Sequence, residues 1–284
     1  MMPKFGAHAY TWIGEWDDET GQHAILQAAS TGLDLLEIPL SNPTDFHAST
    51  VKRQLAKYGI EGVCTLVLPP HVHLPAKPKQ ALAFLKQALE QVDALGATFL
   101  GGVLYANVGT LTLQPPTKEE RERCVQVLSE VAADAARRGI TLGIEPVNRY
   151  ESYMYNSVAD VLTLIEAVGA SNITLHLDTH HMNIEEQGFF EPVKHAGQRL
   201  SYVHASESDR GLVVGKGNVH WNEFFAGLAA INYRGPLVLE SFATEAPSMI
   251  AAACLWHPSP YTPDQLVRDG IVFLREEAAK VGLP

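Results

Sequence analysis

Two hydrophobic patterns take turns along the chain. Short runs of β-branched and apolar residues are each followed by a longer stretch with apolar positions three and four apart, and Gly or Pro marks most joints. The runs predict strands at 5–10 (FGAHAY), 33–38 (LDLLEI), 60–68, 97–105, 140–145 (ITLGIE), 172–178 (NITLHLD), 200–204 (LSYVH) and 235–240 (GPLVLE). The intervening stretches predict helices over 21–31, 46–58, 78–95, 117–138, 158–168, 188–197, 220–231 and 264–281. In the third, Leu82, Leu85, Leu89, Val92 and Leu95 share one face that must be buried. Thr117 with Glu120 forms a capping box, Asn156-Ser157 an N-cap, and Gly32, Gly59 and Gly96 are stop signals.

Strands that alternate with helices pair in parallel, and eight such units predict a closed (β/α)8 barrel, the TIM barrel, as a single α/β domain over 1–284. The competing open, doubly wound sheet usually carries a glycine fingerprint after its first strand, and GAHAYTWIGEW has none. No linker or composition shift divides the chain.

Composition narrows the class. Apolar residues make up 46% and charged residues 19%, enough to bury a large core. A net charge of −11 argues against a nucleic-acid partner, because phosphate binding needs clustered Lys and Arg. No apolar run is long enough to span a membrane, and MMPKFGAHAY does not read as a signal peptide. Cys64, Cys124 and Cys254 are odd in number and far apart, which fits reduced thiols. A cytoplasmic enzyme is the expectation.

The chemistry gathers at the ends of the last four strands. Side chains alternate inward and outward along a strand, so Glu145 faces inward with Gly143, Asp178 with His176, His204 with Tyr202 and Glu240 with Val238. Any one of these alone reads as a cap or loop residue. Together they deliver Glu, Asp, His and Glu to one rim, where ligands bind in such folds. Three carboxylates buried there without a cation would each cost several kcal/mol. A divalent cation resolves the cost, and oxygen ligands with one imidazole suit Mn²⁺, Mg²⁺ or Co²⁺ better than structural zinc.

The segments GIEPVNRYE (143–151), LDTHHMNIEE (177–186), HASESDRG (204–211) and LESF (239–242) resemble the ketose 3-epimerases, those of D-tagatose, D-psicose and L-ribulose, within the xylose-isomerase-like barrels. The likeness runs through nearly the whole chain. It implies a (β/α)8 barrel that uses a divalent metal, commonly manganese, to move a proton at C3 of a free ketose. It makes Glu145, Asp178, His204 and Glu240 the metal ligands, with Glu145 and Glu240 doubling as the acid/base pair. It puts Glu151, His181 and Arg210 on the O1–O3 end of the sugar, and it implies a homodimer or homotetramer. The chemistry is coherent: a metal polarises the C2 carbonyl, and one base and one acid work on opposite faces of C3. Many relatives read His-x-His-x-Gly-Glu on strand 7, whereas this chain has Tyr202 and Ser206 at the first and third of the named positions. That departure bears on substrate preference.

The remaining residues carry weaker readings. His8 is expected to line the pocket, and Glu37 to bond either a neighbouring side chain or the sugar. His176 is read as a hydrogen-bonded barrel residue, His180 as a loop residue, and the chelating spacing of His71 and His73 as coincidence. Trp12, Trp16 and Trp256 either wall the pocket or pack the rim, and Cys64 is read as a small buried apolar residue. A neighbouring Lys216 among glycines leaves phosphorylated ketoses open. The rival functions are an aldose–ketose or hydroxypyruvate isomerase, an apurinic endonuclease of the related zinc barrels, and a non-catalytic sugar- or metal-binding barrel.

Overall fold

The computed structural model describes residues 3–242 and 246–283, so the expected domain ends at 1 and 284 lie outside it. Eight parallel strands close on themselves in chain order: β1 (Phe5–His8), β2 (Leu35–Pro39), β3 (Glu61–Val67), β4 (Phe99–Val103), β5 (Thr141–Ile144), β6 (Ile173–Asp178), β7 (Leu200–Ala205) and β8 (Leu237–Leu239). The helices are α1 (Asp18–Ser30), α2 (Ala48–Tyr58), α3 (Pro78–Leu95), α4 (Lys118–Arg137), α5 (Val158–Val168), α6 (Thr179–Glu185), α7 (Phe190–Ala196), α8 (Trp221–Ala230), α9 (Pro247–Ala252) and α10 (Pro263–Lys280). This is the expected (β/α)8 barrel. None of the described helices is long and apolar enough to cross a membrane.

Local chemistry sets the helix ends. Asp17 caps α1 with Thr20, Thr117 caps α4 with Glu120, and Ser157 caps α5 with Asp160, each as a reciprocal capping box. Gly59, Gly96 and Gly169 close α2, α3 and α5 in the left-handed conformation. Several bounds and elements differ from the expectation. Helix α1 starts at Asp18, ahead of the expected 21, because Asp17 supplies the cap. Strand β1 ends at His8, where a 3-10 turn begins, and β4 is trimmed at both ends. Two short helices, α6 and α9, were not anticipated.

The large core lies between the strands' outer faces and the helices, and includes Leu36, Ile38, Leu85, Leu89, Leu142, Leu175, Leu177 and Leu274. A second cluster, Leu35, Val63, Phe99, Tyr202 and Val238, fills the barrel interior. Phe99 and Tyr202 stack there with centroids 4.4 Å apart. The functional rim rests on this plug.

At Gly102, β4 passes close to its neighbour. Its φ is +106°, and a Cβ there would meet the Leu66 carbonyl oxygen at 2.3 Å. Its own carbonyl accepts from the backbone N–H of Glu145, so the close approach also sets how the chain leaves β5. Gly102→Ala is expected to lower the unfolding free energy by roughly 2 kcal/mol or more. Gly32→Ala, at φ +73° with open space around it, should cost about 1 kcal/mol. Equal costs in denaturant unfolding would show that the approach to β3 is not what constrains residue 102.

Candidate active site

Four strand ends bring the expected side chains together. Asp178 is the last residue of β6 and His204 lies within β7, whereas Glu145 and Glu240 sit one residue beyond β5 and β8. All four are buried. His204 Nδ1 lies 3.4 Å from Glu145 Oε1 and 3.5 Å from Glu240 Oε1. Asp178 splits its two oxygens: Oδ1 accepts from the backbone N–H of His180 at 2.9 Å, capping α6, while Oδ2 faces Arg210 Nη2 at 3.4 Å. The cap explains why a helix begins at Asp178 itself.

Helix α6 then delivers His181 three residues on, with Nε2 3.5 Å from Asp178 Oδ2 and 3.9 Å from Glu145 Oε1. The backbone N–H of Asn148 donates to His181 Nδ1 at 3.1 Å, and the Arg210 guanidinium, which can only donate, lies 2.9 Å from Nε2. Burial, helped by the Arg210 charge, holds His181 well below the usual histidine value and keeps the ring neutral. Asn148 also donates to Glu151 Oε1 at 2.9 Å.

Arg210 is the central cation. Its guanidinium reaches Glu151 Oε1 at 3.3 Å, Asp178 Oδ2 at 3.4 Å, Glu240 Oε2 at 3.4 Å and His181 Nε2 at 2.9 Å. Its φ of +57° is the left-handed region, a strain of about 1–3 kcal/mol that surrounding contacts must hold. Two backbone bonds do so, from Arg210 N to Glu207 O and from Phe242 N to Arg210 O. Glu207 itself is buried and takes Gly215 N at 2.6 Å and Trp221 Nε1 at 2.7 Å, tying down the loop that carries Arg210. Ser206, the departure on strand 7, donates to the Glu240 carbonyl at 2.7 Å.

The electrostatics show a surplus of buried anions. Burial raises Glu145 and Glu240 above the usual carboxylate range, and burial with the Glu240 charge pushes Asp178 up to about 7. Burial opposes a charge on His204, yet Glu37 and Glu240 hold it well above the usual histidine value. Among the described residues His204 Nδ1 and Glu240 Oε2 are buried with no hydrogen-bond partner. Donor atoms of Asp178, His204 and Glu240 lie within 4.8 Å of one another, as do those of Glu145, Asp178 and His181 and those of Glu145, His176 and His204. Orphaned donors in an oxygen-rich, one-imidazole set fit a hard divalent cation.

Other residues resolve as follows. His8 is buried, with Nδ1 accepting from Tyr10 N at 3.0 Å and Nε2 3.3 Å from Glu37 Oε1, and burial lowers it to about 4. Glu37 bonds protein groups rather than facing open space. His176 is not hydrogen-bonded as expected: neither ring nitrogen has a partner, and the rings of Phe99 and Tyr202 stand edge-on to it. His180 meets the Ser208 carbonyl at 3.1 Å, and His73 accepts from Asn107 N at 3.1 Å. Trp12 bonds Asp264, Trp16 packs on Phe46, and Trp256 is exposed. Asn148 was missed, although it stands inside the VNR stretch that marked the site.

The chain matches the family of xylose isomerase-like TIM barrels over residues 25–277. It is 36% identical over 279 residues to an L-ribulose 3-epimerase of Methylomonas sp., covering 96% of this chain and 97% of that one. A ketose 3-epimerase of Arthrobacter globiformis is 32% identical, with 98% of each chain covered. The crystal structure of a D-allulose 3-epimerase from Methylomonas sp. in complex with D-allulose superposes with a TM-score of 0.92 at 35% identity, covering 97% of both chains.

The crowding has a consequence for stability. A carboxyl raised on folding supports the fold below its unfolded value of 3.8 and loses that support as pH climbs through about 7. In chelator-treated protein, Asp178→Asn is therefore expected to raise the unfolding free energy at pH 8 by roughly 1–3 kcal/mol, with the gain shrinking toward pH 4. A variant no more stable than its parent at pH 8 would show that Arg210 already offsets the carboxylate.

Proposed function

Because the chain belongs to the ketose 3-epimerase family of xylose isomerase-like TIM barrels, we propose that it inverts C3 of free ketoses with Glu145 and Glu240 as the paired acid and base. One observation carries this reading. The two carboxylates come from different strand ends and flank one imidazole nitrogen at 3.4 Å and 3.5 Å. Inverting a carbon beside a carbonyl requires a proton to leave one face and return to the other, so base and acid must stand on opposite sides of the sugar. Burial raises both carboxyls, the direction that suits groups which must take up and give back a proton.

Glu145, Asp178, His204 and Glu240 would hold one divalent ion, manganese first and cobalt or magnesium next. When bound, that ion supplies Lewis acidity, polarising the C2 carbonyl and making the C3 hydrogen more acidic. Arg210 offers planar N–H donors to the oxygens of the enediolate between C2 and C3. His181 adds a neutral imidazole beside Arg210, Glu151 accepts from a sugar hydroxyl, and His8 lines the site beside Glu37. The relatives named as L-ribulose and ketose 3-epimerases, and the D-allulose complex, support L-ribulose/L-xylulose and D-fructose/D-psicose as substrate pairs, with D-tagatose/D-sorbose open to the same chemistry.

Protein stripped by chelator and reloaded with Mn²⁺ is expected to place deuterium at C3 of D-fructose, D-tagatose or L-ribulose in D₂O and to yield the 3-epimer. Chelated protein should do neither. Glu240→Gln should lower kcat by at least about 10²–10⁴-fold while circular dichroism shows the fold intact. Label at C1 with an aldose product would replace this reading by an aldose–ketose isomerase. A fully active Glu240→Gln would remove Glu240 from the mechanism.

A further inference from the structure

Glu37 is a buried acid that no step of the proposed reaction uses. It stands on β2 with no solvent exposure, across the barrel mouth from the carboxylates that flank His204. Its Oε1 accepts from Thr65 Oγ1 at 2.6 Å, and its Oε2 accepts from the Tyr202 hydroxyl at 2.7 Å. His204 Nε2 meets the same Oε2 at 2.7 Å, and His8 Nε2 lies 3.3 Å from Oε1. Both oxygens are thus taken up by protein groups, which leaves Glu37 no part in holding a sugar.

The hydrogen-bond logic runs in one direction. An ionised carboxylate only accepts, so His204 must donate to it through Nε2–H. To ligate a metal the imidazole must be neutral, and it then carries one N–H, which leaves a bare lone pair on Nδ1. That Nδ1 is the atom between Glu145 Oε1 and Glu240 Oε1, and it has no hydrogen-bond partner. We infer that Glu37 is the positioning residue that commits His204 to hold the divalent cation through Nδ1, with Tyr202 and Thr65 fixing Glu37 in turn. This rests on the cation reading of the preceding subsection. Carboxylates that take the far N–H of a metal-binding imidazole orient the ring and raise its basicity.

The same contacts also clamp β2, β3 and β7 together, and a clamp alone makes a different prediction. A clamp affects the stability of the metal-free protein, whereas a positioning group affects cation affinity in protein that stays folded. The test uses the full chain, stripped by chelator and titrated with Mn²⁺ by calorimetry and with Co²⁺ by visible absorption. Metal-free thermal unfolding is recorded in parallel. Glu37→Gln replaces an all-acceptor group with an amide that must turn an N–H toward one of its donors. It is expected to weaken Mn²⁺ binding by roughly 10–100-fold and to shift the Co²⁺ spectrum at saturation. Tyr202→Phe removes one donor and leaves the Glu37 charge in place, so it keeps the test decisive if Glu37→Gln does not fold. It should weaken Mn²⁺ binding by a smaller factor, about 3–10-fold. Folded variants with parental Mn²⁺ affinity and an unchanged Co²⁺ spectrum would overturn the positioning role and leave the cation reading standing. A parent chain that takes up neither ion would overturn both.

Discussion

The structure turns on the cost of keeping acids away from water at the mouth of a closed barrel. Glu37, Glu145, Asp178 and Glu240 are all buried there, and each uncompensated charge costs several kcal/mol. The cationic partners facing them are Arg210 and His204, while burial keeps His8 and His181 neutral beside them. The protein spends local strain to keep Arg210 in place, holding its backbone at φ +57°. The divalent cation proposed for this rim would neutralise what the side chains do not, and His204 Nδ1 lies there buried with no hydrogen-bond partner. Fold, rim geometry and chemistry are different expressions of this one imbalance.

The two longest motifs are halves of one joint. Arg149, from the stretch after β5, donates to Glu185 at the end of α6 through its backbone N–H at 2.7 Å and through its guanidinium. Glu186 returns the contact by accepting from Val158 N at 2.8 Å. Asn148 reaches His181 between them. Residues that look redundant in the chain, such as the paired glutamates of NIEE, are therefore the fasteners of neighbouring loops that carry Glu151 and His181.

The barrel was legible because its alternation is coarse: eight strong apolar runs, each followed by a helical period, leave few architectures open. The convergence of Glu145, Asp178, His204 and Glu240 was legible because period-two alternation turns a strand-ending side chain inward. Finer features escaped for physical reasons. Helix α6 is only seven residues long, too short to show a helical period, and its cap is Asp178, a residue read from the sequence for another role. Strand ends moved by one or two residues because hydrogen bonding stops before the apolar run does. The role of Glu37 depends on contacts with Tyr202 and His204, more than 160 positions away in the chain, as the separations of 165 and 167 record. No local pattern carries that. The silence around His176, buried with both nitrogens unpartnered, has no counterpart in composition or spacing at all.

Asp178 uses one oxygen to start a helix and the other to face the site. A side chain already pinned by its cap has little freedom left to lose when a ligand arrives, so the entropy of arranging this donor is met while the chain folds. The corner is preassembled, and the divalent ion proposed for this rim would have only to exchange its own hydration for oxygens already in place.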